Sequence, residues 1–199
     1  MVIMKQRTGS IKRKTTETKI EVELNLDGAG KYIIKTGLPF LNHMLELLSK
    51  PSLLDIKLRA AGDLAVDYHH TVEDIGLCMG SALDKALGNR KGITRYGAGF
   101  APMDEALSRV VVDLGGRPYF VYDTAVRRRK ILDFDLALIK ELLQAFCVRA
   151  RMNLHVSQLY GKEPHHAYES IFKALALALR EAVSLDERQK GIPSSKGTL

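Results

Sequence analysis

Two short segments of this sequence place a pair of histidines three and four residues ahead of a glutamate. The first motif comprises His69, His70 and Glu73, and the second motif comprises His165, His166 and Glu169. On a helix, residues three and four apart share a face, so each glutamate can lie beside both histidines of its own motif. Mixed imidazole and carboxylate groups are typical ligands of a transition metal. The sequence therefore predicts a metal site in which the two motifs face each other.

The spacing within each motif favours two ions rather than one. Adjacent residues of a helix diverge by about 100°, so neighbouring imidazoles reach two different ions more easily than a single one. The remaining histidines, His43 and His155, are supplementary ligands by this interpretation. Eight protein ligands cannot fill two six-coordinate shells, and the open positions imply chemistry with manganese or iron rather than a closed structural zinc site. Asp63, Asp67 and Asp74 are candidates for orienting the imidazoles, although Asp74 could equally be a first-turn residue that interacts with the helix dipole.

Composition indicates a globular protein with an anionic partner. The chain has 199 residues, is 46% hydrophobic and carries a formal net charge of +7. Nucleic acid and a phosphorylated metabolite both suit that charge. The most basic run, Arg127 to Lys130, lacks the interleaved aromatic residues of a single-strand binding surface, so a solvated face or a subunit contact is the better interpretation.

We expect a cytoplasmic protein with no membrane association. No apolar run reaches the roughly 18 residues needed to span a bilayer, and the opening residues are too short for the core of a signal peptide. Cys78 and Cys147 lie in apolar helical patterns without the spacing of a metal knuckle or a redox pair, so both are expected to be reduced core residues.

The elements that must position these residues occur twice along the chain. Alternating apolar residues from Ile20 to Leu26 and a strand at 32–34, joined by a glycine-rich turn, predict a hairpin. A helix follows from Pro39 and ends at Lys50 and Pro51, then a strand at 54–58, then the helix that opens with the first motif and closes at Gly88. The second half has strands ending near residue 101 and at 106–114 and 119–122, a helix at 133–149, a strand at 152–159 and the helix of the second motif.

This repetition predicts an internally duplicated α+β fold. His165 follows His69 by 96 positions, about half the chain. We expect two similar halves of mostly antiparallel sheet with helices packed on one face, residues 1–92 and 93–199, which form one compact unit.

Several further segments, in the same order, resemble one enzyme family across nearly the whole chain. The segments that carry the resemblance are residues 36–45, 62–74, 102–107, 113–118, 165–173 and 193–197. Together with the two motifs, they resemble imidazoleglycerol-phosphate dehydratase. The resemblance implies a fold of the ribosomal-protein-S5-domain-2-like kind, two manganese ions per site, and a homo-oligomer of about 24 subunits with active sites at subunit interfaces.

The resemblance also implies a reaction in histidine biosynthesis, the loss of water from imidazole glycerol phosphate to give imidazole acetol phosphate. The proton to be removed lies on a carbon with no adjacent carbonyl, so an electron sink is required. Our hypothesis is that the substrate ring, bound to the metals as an imidazolate, is that sink. Glu17 matches a family position near the substrate and is a candidate proton acceptor or relay, with Glu73 and Glu169 as further catalytic candidates.

The resemblance assigns the substrate phosphate to cationic and hydroxyl side chains. The candidates are Arg95, Arg117, Lys173, Ser194 and Lys196. Guanidinium groups can bind two phosphate oxygens at once, and lysine adds a point charge. Three departures from the family stand out. Asn42 replaces an aspartate beside His43 and could alter that imidazole, Tyr68 replaces a polar residue, and residues 162–164 differ from the usual ones.

Two other readings share some of these residues. A binuclear metallohydrolase would use the same ligands to activate water, but has no use for Ser194 and Lys196. A non-catalytic metal-binding or nucleic-acid-binding protein is motivated by the six histidines and the basic run. Salt-sensitive oligonucleotide binding without turnover would favour the second.

Overall fold

The computed structural model describes residues 6–126 and 130–198, and it consists of two halves of similar design. The first half contains β1 (Thr8–Lys14), β2 (Thr18–Asn25), β3 (Tyr32–Lys35), α1 (Pro39–Ser52), β4 (Asp55–Gly62) and α2 (His69–Leu87). The second contains β5 (Tyr96–Met103), β6 (Ala106–Asp113), β7 (Tyr119–Asp123), β8 (Lys130–Ile131), β9 (Phe134–Asp135), α3 (Ala137–Ala150), β10 (Asn153–Tyr160) and α4 (Pro164–Val183). Three residues of the basic run, 127–129, lie outside the described residues.

Each half forms one four-stranded sheet with the same strand arrangement. The orders are β1-β2-β4-β3 and β5-β6-β10-β7. The first three strands of each sheet are antiparallel, and the fourth is parallel to its neighbour. The duplicated, mostly antiparallel α+β fold is therefore confirmed, whereas the division after residue 92 stays a prediction.

The sheets bury one face and leave the other outward. In β2, Ile20 and Val22 are fully buried, whereas the residues that alternate with them, Lys19, Glu21 and Glu23, point away from the helices. This alternation follows from the two-residue period of a strand. Each fully buried aliphatic side chain contributes about 1.5 to 3 kcal/mol through removal from water.

The helices of the two halves pack against each other so that the first helix of each half contacts the second helix of the other half. Helix α1 contacts α4, and α2 contacts α3. Small residues allow the second contact to be close, because a Cβ added to Gly76 would lie 2.4 Å from the Leu142 carbonyl oxygen. The cores of both halves thus form one continuous cluster.

The predicted hairpin between β2 and β3 is wrong. Strand β4 lies between them, and β3 pairs with β4 in parallel. The Asp55 carboxylate accepts hydrogen bonds from the N–H groups of Ala29 (2.9 Å) and Lys31 (2.8 Å), which holds the loop across the start of β4. Helix α1 then makes the crossover that a parallel pair requires. Strand β2 pairs antiparallel with β4 on one side and with β1 on the other, and β1 was not predicted.

Two helix boundaries also differ from the predicted ones. Helix α1 continues through Pro51 to Ser52 and ends where Leu53 adopts a left-handed conformation with φ of 62°. Helix α3 begins at Ala137 rather than near 133, because the short β8 and β9 ribbon occupies residues 130–135. No helix within the described residues is long and apolar enough to cross a membrane.

Candidate metal centre

His43, in the first half of the chain, lies beside the second motif, which belongs to the other half. His165 and Glu169 lie one turn apart at the start of α4, and His43 reaches them from α1. Nε2 of His43 is 2.9 Å, and Nε2 of His165 is 3.0 Å, from the same oxygen, Glu169 Oε1. The packing of α1 against α4 creates this cluster, since the two histidines are far apart in sequence.

Glu169 is the buried member of this cluster. Only 7% of the residue is exposed. Its second oxygen, Oε2, accepts a hydrogen bond of 2.7 Å from Lys173 Nζ, one turn further along α4. Burial opposes ionisation of the carboxyl, but the hydrogen bonds from Lys173 and His43 outweigh it and lower the pKa of Glu169 to about 2. The carboxylate is therefore charged at neutral pH and presents Oε1 to the imidazoles.

The donor set and its spacing fit a divalent cation. Within residues 6–126 and 130–198, His43, His165 and Glu169 form the one set of at least three potential ligands whose donor atoms all lie within 4.8 Å of one another. Two ligands about 2.1 Å from an ion and at right angles to each other stand about 3 Å apart, which agrees with the separations from Glu169 Oε1. Two imidazoles and a carboxylate suit manganese, iron or zinc.

The first motif lies at the start of α2, where carboxylates surround its histidines. Nε2 of His69 is 3.5 Å from Glu73 Oε2. Nδ1 of His70 is 3.0 Å from Asp63 Oδ2, and Glu17 Oε2 lies 3.9 Å from the same nitrogen. The hydrogen bond with Asp63 raises the pKa of His70. Asp63 thus orients His70, as the sequence suggested.

The other histidine of the second motif is held by a glutamate that the sequence analysis missed. Nδ1 of His166 is 2.7 Å from Glu105 Oε2, and this hydrogen bond raises the pKa of His166. The backbone N–H of His166 donates to the side chain of Glu163, the residue that caps α4. Comparison of the two halves could have found Glu105, because it precedes β6 as Glu17 precedes β2.

The two motifs do not share one set of ligands in the described part of a single chain. His69, His70 and Glu73 remain on α2, outside the cluster around Glu169. His155 points away from all the helices, because it lies on the outward face of β10 between the buried residues Leu154 and Val156.

The five phosphate candidates do not lie together in one place. Arg95 Nε donates to Asp113 Oδ1 (2.7 Å), and Arg95 Nη1 donates to the carbonyl of Pro193 (2.7 Å), which brings Ser194 beside it. Lys173 instead lies beside Glu169. Arg117 and Lys196 are exposed, in a turn and in the terminal segment. The structure therefore unites Arg95 with Ser194 but not with Lys173.

Comparisons with known proteins agree on one family. The family model for imidazoleglycerol-phosphate dehydratase matches residues 36–179. Enzymes of that name from Clostridium kluyveri and Nitrobacter hamburgensis are 51% and 53% identical to the chain, each over 97% of it and over 100% and 98% of their own lengths. The crystal structure of the Staphylococcus aureus enzyme superposes with a TM-score of 0.82 at 35% identity, and covers 90% of this chain and 99% of its own.

A second crystal structure, of the Pyrococcus furiosus enzyme, has a TM-score of 0.81 at 34% identity and covers 95% of this chain and all of its own. The fold and these relatives define the chain as a hydro-lyase with a duplicated α+β architecture. More narrowly, it belongs to the imidazoleglycerol-phosphate dehydratase family, which acts in histidine biosynthesis.

Proposed function

We propose that the chain removes water from imidazole glycerol phosphate with two manganese ions per active site. The convergence of His43, His165 and Glu169 on one small volume is the observation that carries this proposal. The first motif, with His69, His70 and Glu73, would supply the remaining ligands together with His155 and His166. Such ions would act as Lewis acids that stabilise negative charge on the substrate's imidazole ring.

We further propose that each active site is completed by a neighbouring copy of the chain in a homo-oligomer, of about 24 subunits by the resemblance. His155 supports this, because its outward direction prevents it from joining the other ligands of its own chain. Its neighbours across the sheet are Val111 and Val121, and Ala98 follows in the same row. An imidazole within an apolar row suits a face covered by another subunit.

We propose that Glu17 is the proton-transferring group. Its carboxylate lies 3.9 Å from His70, and half of its side chain is exposed, so a substrate bound beside the first motif could reach it. Glu73 and Glu169 would bind the metal ions that hold the substrate ring. The carboxylate of Glu169 is ionised, as described for the cluster above. In its position the Glu17 carboxylate would accept the proton whose loss precedes departure of the hydroxyl.

The substrate phosphate would bind cationic groups contributed by more than one chain. Arg95 and Ser194 form one half of such a site, and Lys173 lies beside the proposed metal cluster. Arg117 and Lys196, both exposed, are free to approach a neighbouring copy. We also propose the cytoplasm as the location, which suits a biosynthetic enzyme of this family.

Turnover of imidazole glycerol phosphate by metal-stripped protein, with and without manganese, tests the metal requirement. We expect product only with manganese, and loss of at least about a hundredfold in His69→Ala, His165→Ala and Glu169→Gln. Glu187→Gln, which changes an exposed carboxyl, is the control and should remain active. Full activity of the stripped enzyme in the presence of a chelator would refute the metal requirement.

A mixing experiment tests the shared site. His155→Ala and His165→Ala proteins, each inactive alone, are dissociated, mixed and reassembled. Because some sites would receive both intact histidines from different chains, part of the activity should return. No recovery in assemblies shown to contain both variants would refute the sharing of sites between copies.

A further inference from the structure

Each half of the molecule places a glutamate at the turn before its second strand, close to its own motif. Glu17 immediately precedes β2, and Glu105 immediately precedes β6. Each approaches the second histidine of the motif in its half, Glu17 approaching His70 and Glu105 approaching His166. The two glutamates are therefore equivalent by the duplication.

Their contacts nevertheless differ. Glu17 Oε2 is 3.9 Å from His70 Nδ1, and that nitrogen is already paired with Asp63 Oδ2 at 3.0 Å. Glu105 Oε2 is only 2.7 Å from Nδ1 of His166. Asp63 directly follows the end of β4, and the residue that directly follows the end of β10 is Gly161, which has no side chain to orient an imidazole. In the second half, Glu105 thus makes the contact that Asp63 makes in the first.

Glu105 is also fixed from its other oxygen. Oε1 accepts a hydrogen bond of 3.1 Å from the backbone N–H of Glu163, and the Glu163 side chain in turn accepts from the N–H of His166. A carboxylate held at both oxygens has little freedom to rotate. Because an ionised carboxylate only accepts, the contact with His166 requires the proton of that ring to reside on Nδ1.

We propose that Glu105 is a positioning residue that fixes the tautomer and orientation of His166, so that Nε2 is available to bind a metal ion. This inference rests on the proposed metal-dependent function. It assigns different tasks to the two equivalent glutamates: Asp63 orients His70, which leaves Glu17 available to the substrate, whereas Glu105 orients His166 and takes no part in proton transfer. Partners of this kind commonly change metal affinity by about 10- to 100-fold when they are removed.

A purely structural role is the competing explanation, because the hydrogen bond from Glu163 alone could hold the turn against α4. The two roles predict different results for Glu105→Gln. The glutamine retains an oxygen that can accept from the Glu163 N–H, but it lacks the second, charged oxygen that orients His166. A structural role would therefore leave metal affinity unchanged in any variant that folds.

The test is titration of metal-free full-length protein with manganese, with free Mn²⁺ followed by electron paramagnetic resonance and folding followed by thermal unfolding. We expect Glu105→Gln to bind manganese about 10- to 100-fold more weakly at the site that contains His166. The melting temperature of the metal-free variant should stay close to that of the parent. Glu17→Gln, the equivalent change in the first half, should bind manganese as the parent does but lose turnover. Glu105→Asp, which keeps the charge, should recover part of the affinity and serves as the probe if Glu105→Gln does not fold.

The outcomes separate the inference from the proposed function. Manganese affinity of Glu105→Gln equal to that of the parent, or equal losses in Glu105→Gln and Glu17→Gln, would overturn the inference while the metal requirement stands. In Glu105→Asp, affinity no better than that of a folded Glu105→Gln would also overturn it. A parent protein that binds no manganese would instead refute the proposed function, and the inference with it.

Discussion

At the scale of single residues, the contacts of Asn42 show what its replacement of the family's aspartate changes. Asn42 precedes His43, and the sequence suggested that this replacement alters the basicity or orientation of the His43 imidazole. In the structure, Asn42 Oδ1 accepts hydrogen bonds from the backbone N–H (3.0 Å) and the hydroxyl (2.7 Å) of Thr36. An amide oxygen and a carboxylate oxygen both perform this task, so the side chain secures the start of α1 instead of adjusting His43.

We therefore predict that Asn42→Asp changes the free energy of unfolding by less than about 0.5 kcal/mol and leaves manganese affinity unchanged. Asn42→Leu should lose about 1 to 3 kcal/mol, because the Thr36 N–H then lacks an acceptor and the buried Thr36 hydroxyl keeps only its longer contact with the Leu38 carbonyl (3.3 Å). Urea denaturation measures the first quantity and metal titration the second. A severalfold gain in affinity in Asn42→Asp would show that the aspartate does act on His43.

The types of residue in the candidate site could be predicted from the sequence, but which of these residues lie together could not. The two motifs could be read from spacing, since their residues lie on one turn of a helix. The meeting of His43 with Glu169 depends on the packing of α1 against α4, which no local pattern encodes. Glu105 lacked any local signal, because a glutamate in a turn is common and only its equivalence to Glu17 distinguishes it.

At the scale of elements, Asp74 joins the hairpin of β1 and β2 to the helix that carries the first motif. Its Oδ1 accepts from Arg13 Nε at 2.9 Å, and its Oδ2 accepts from the Thr18 hydroxyl. Thr18 also belongs to the turn that contains Glu17, in which Thr15 Oγ1 accepts from both the Glu17 and Thr18 N–H groups. The network thus sets the distance between Glu17 and α2.

We predict that Asp74→Asn lowers the free energy of unfolding by about 1 to 3 kcal/mol, since a charged acceptor is removed from two buried or half-buried donors. It should also lower kcat, because the Glu17 turn is no longer held. Thr18→Val removes only one of the two contacts and should give a smaller loss of both. Denaturation and steady-state kinetics provide the two readouts, and unchanged kcat in a destabilised Asp74→Asn would separate the network from Glu17.

The contact between α2 and α3 gives a second prediction at this scale. Gly76→Ala should lower stability by about 1 to 3 kcal/mol, because the new methyl group would meet the Leu142 carbonyl oxygen and force the helices apart. Gly191→Ala, at a position with open space around it, is the matched control and should change stability by less than about 0.5 kcal/mol. Thermal unfolding of both variants measures the difference, and equal melting temperatures would contradict close packing at Gly76.

Helices and strands were predicted better than their pairing. The apolar period of α2 located that helix correctly, because burial on one face determines such a pattern, and the second motif does lie at the start of a helix, α4. The pairing of β2 was wrong, since the loop at 26–31 resembles a tight turn while its carboxylate partner, Asp55, lies well beyond it in sequence. Strand β1 has few buried residues, so its alternation is weak.

At the scale of the whole molecule, Arg7 connects the two halves. Its guanidinium pairs with Asp27 in the first half, with Nη2 2.6 Å from Oδ1, and Nη1 donates to the carbonyl of Val183 at the end of α4 (2.6 Å). The hydrogen bonds from Arg7 lower the pKa of Asp27. The ion pair therefore stabilises the folded state at pH values above the ordinary pKa of an aspartate, and this contribution is lost as the pH falls through the lowered value.

We predict that Asp27→Asn destabilises the protein slightly at neutral pH, by less than about 1 kcal/mol, because the pair is partly exposed. The difference between parent and variant should shrink as the pH is lowered below the ordinary aspartate range, since both proteins then lack the charge. Urea denaturation at a series of pH values measures this trend. A difference that stays constant with pH would show that the charge of Asp27 contributes nothing.

The packing of each helix against a helix of the other half has a consequence for the stability of a half-length chain. Because α1 packs against α4 and α2 against α3, a chain of half this length would leave the inner faces of both its helices in water unless a second copy covered them. A half-length chain would therefore be expected to fold as a pair of copies. Joining the two copies in one chain makes the association of the halves independent of protein concentration, and it allows the two histidine motifs to have different neighbours.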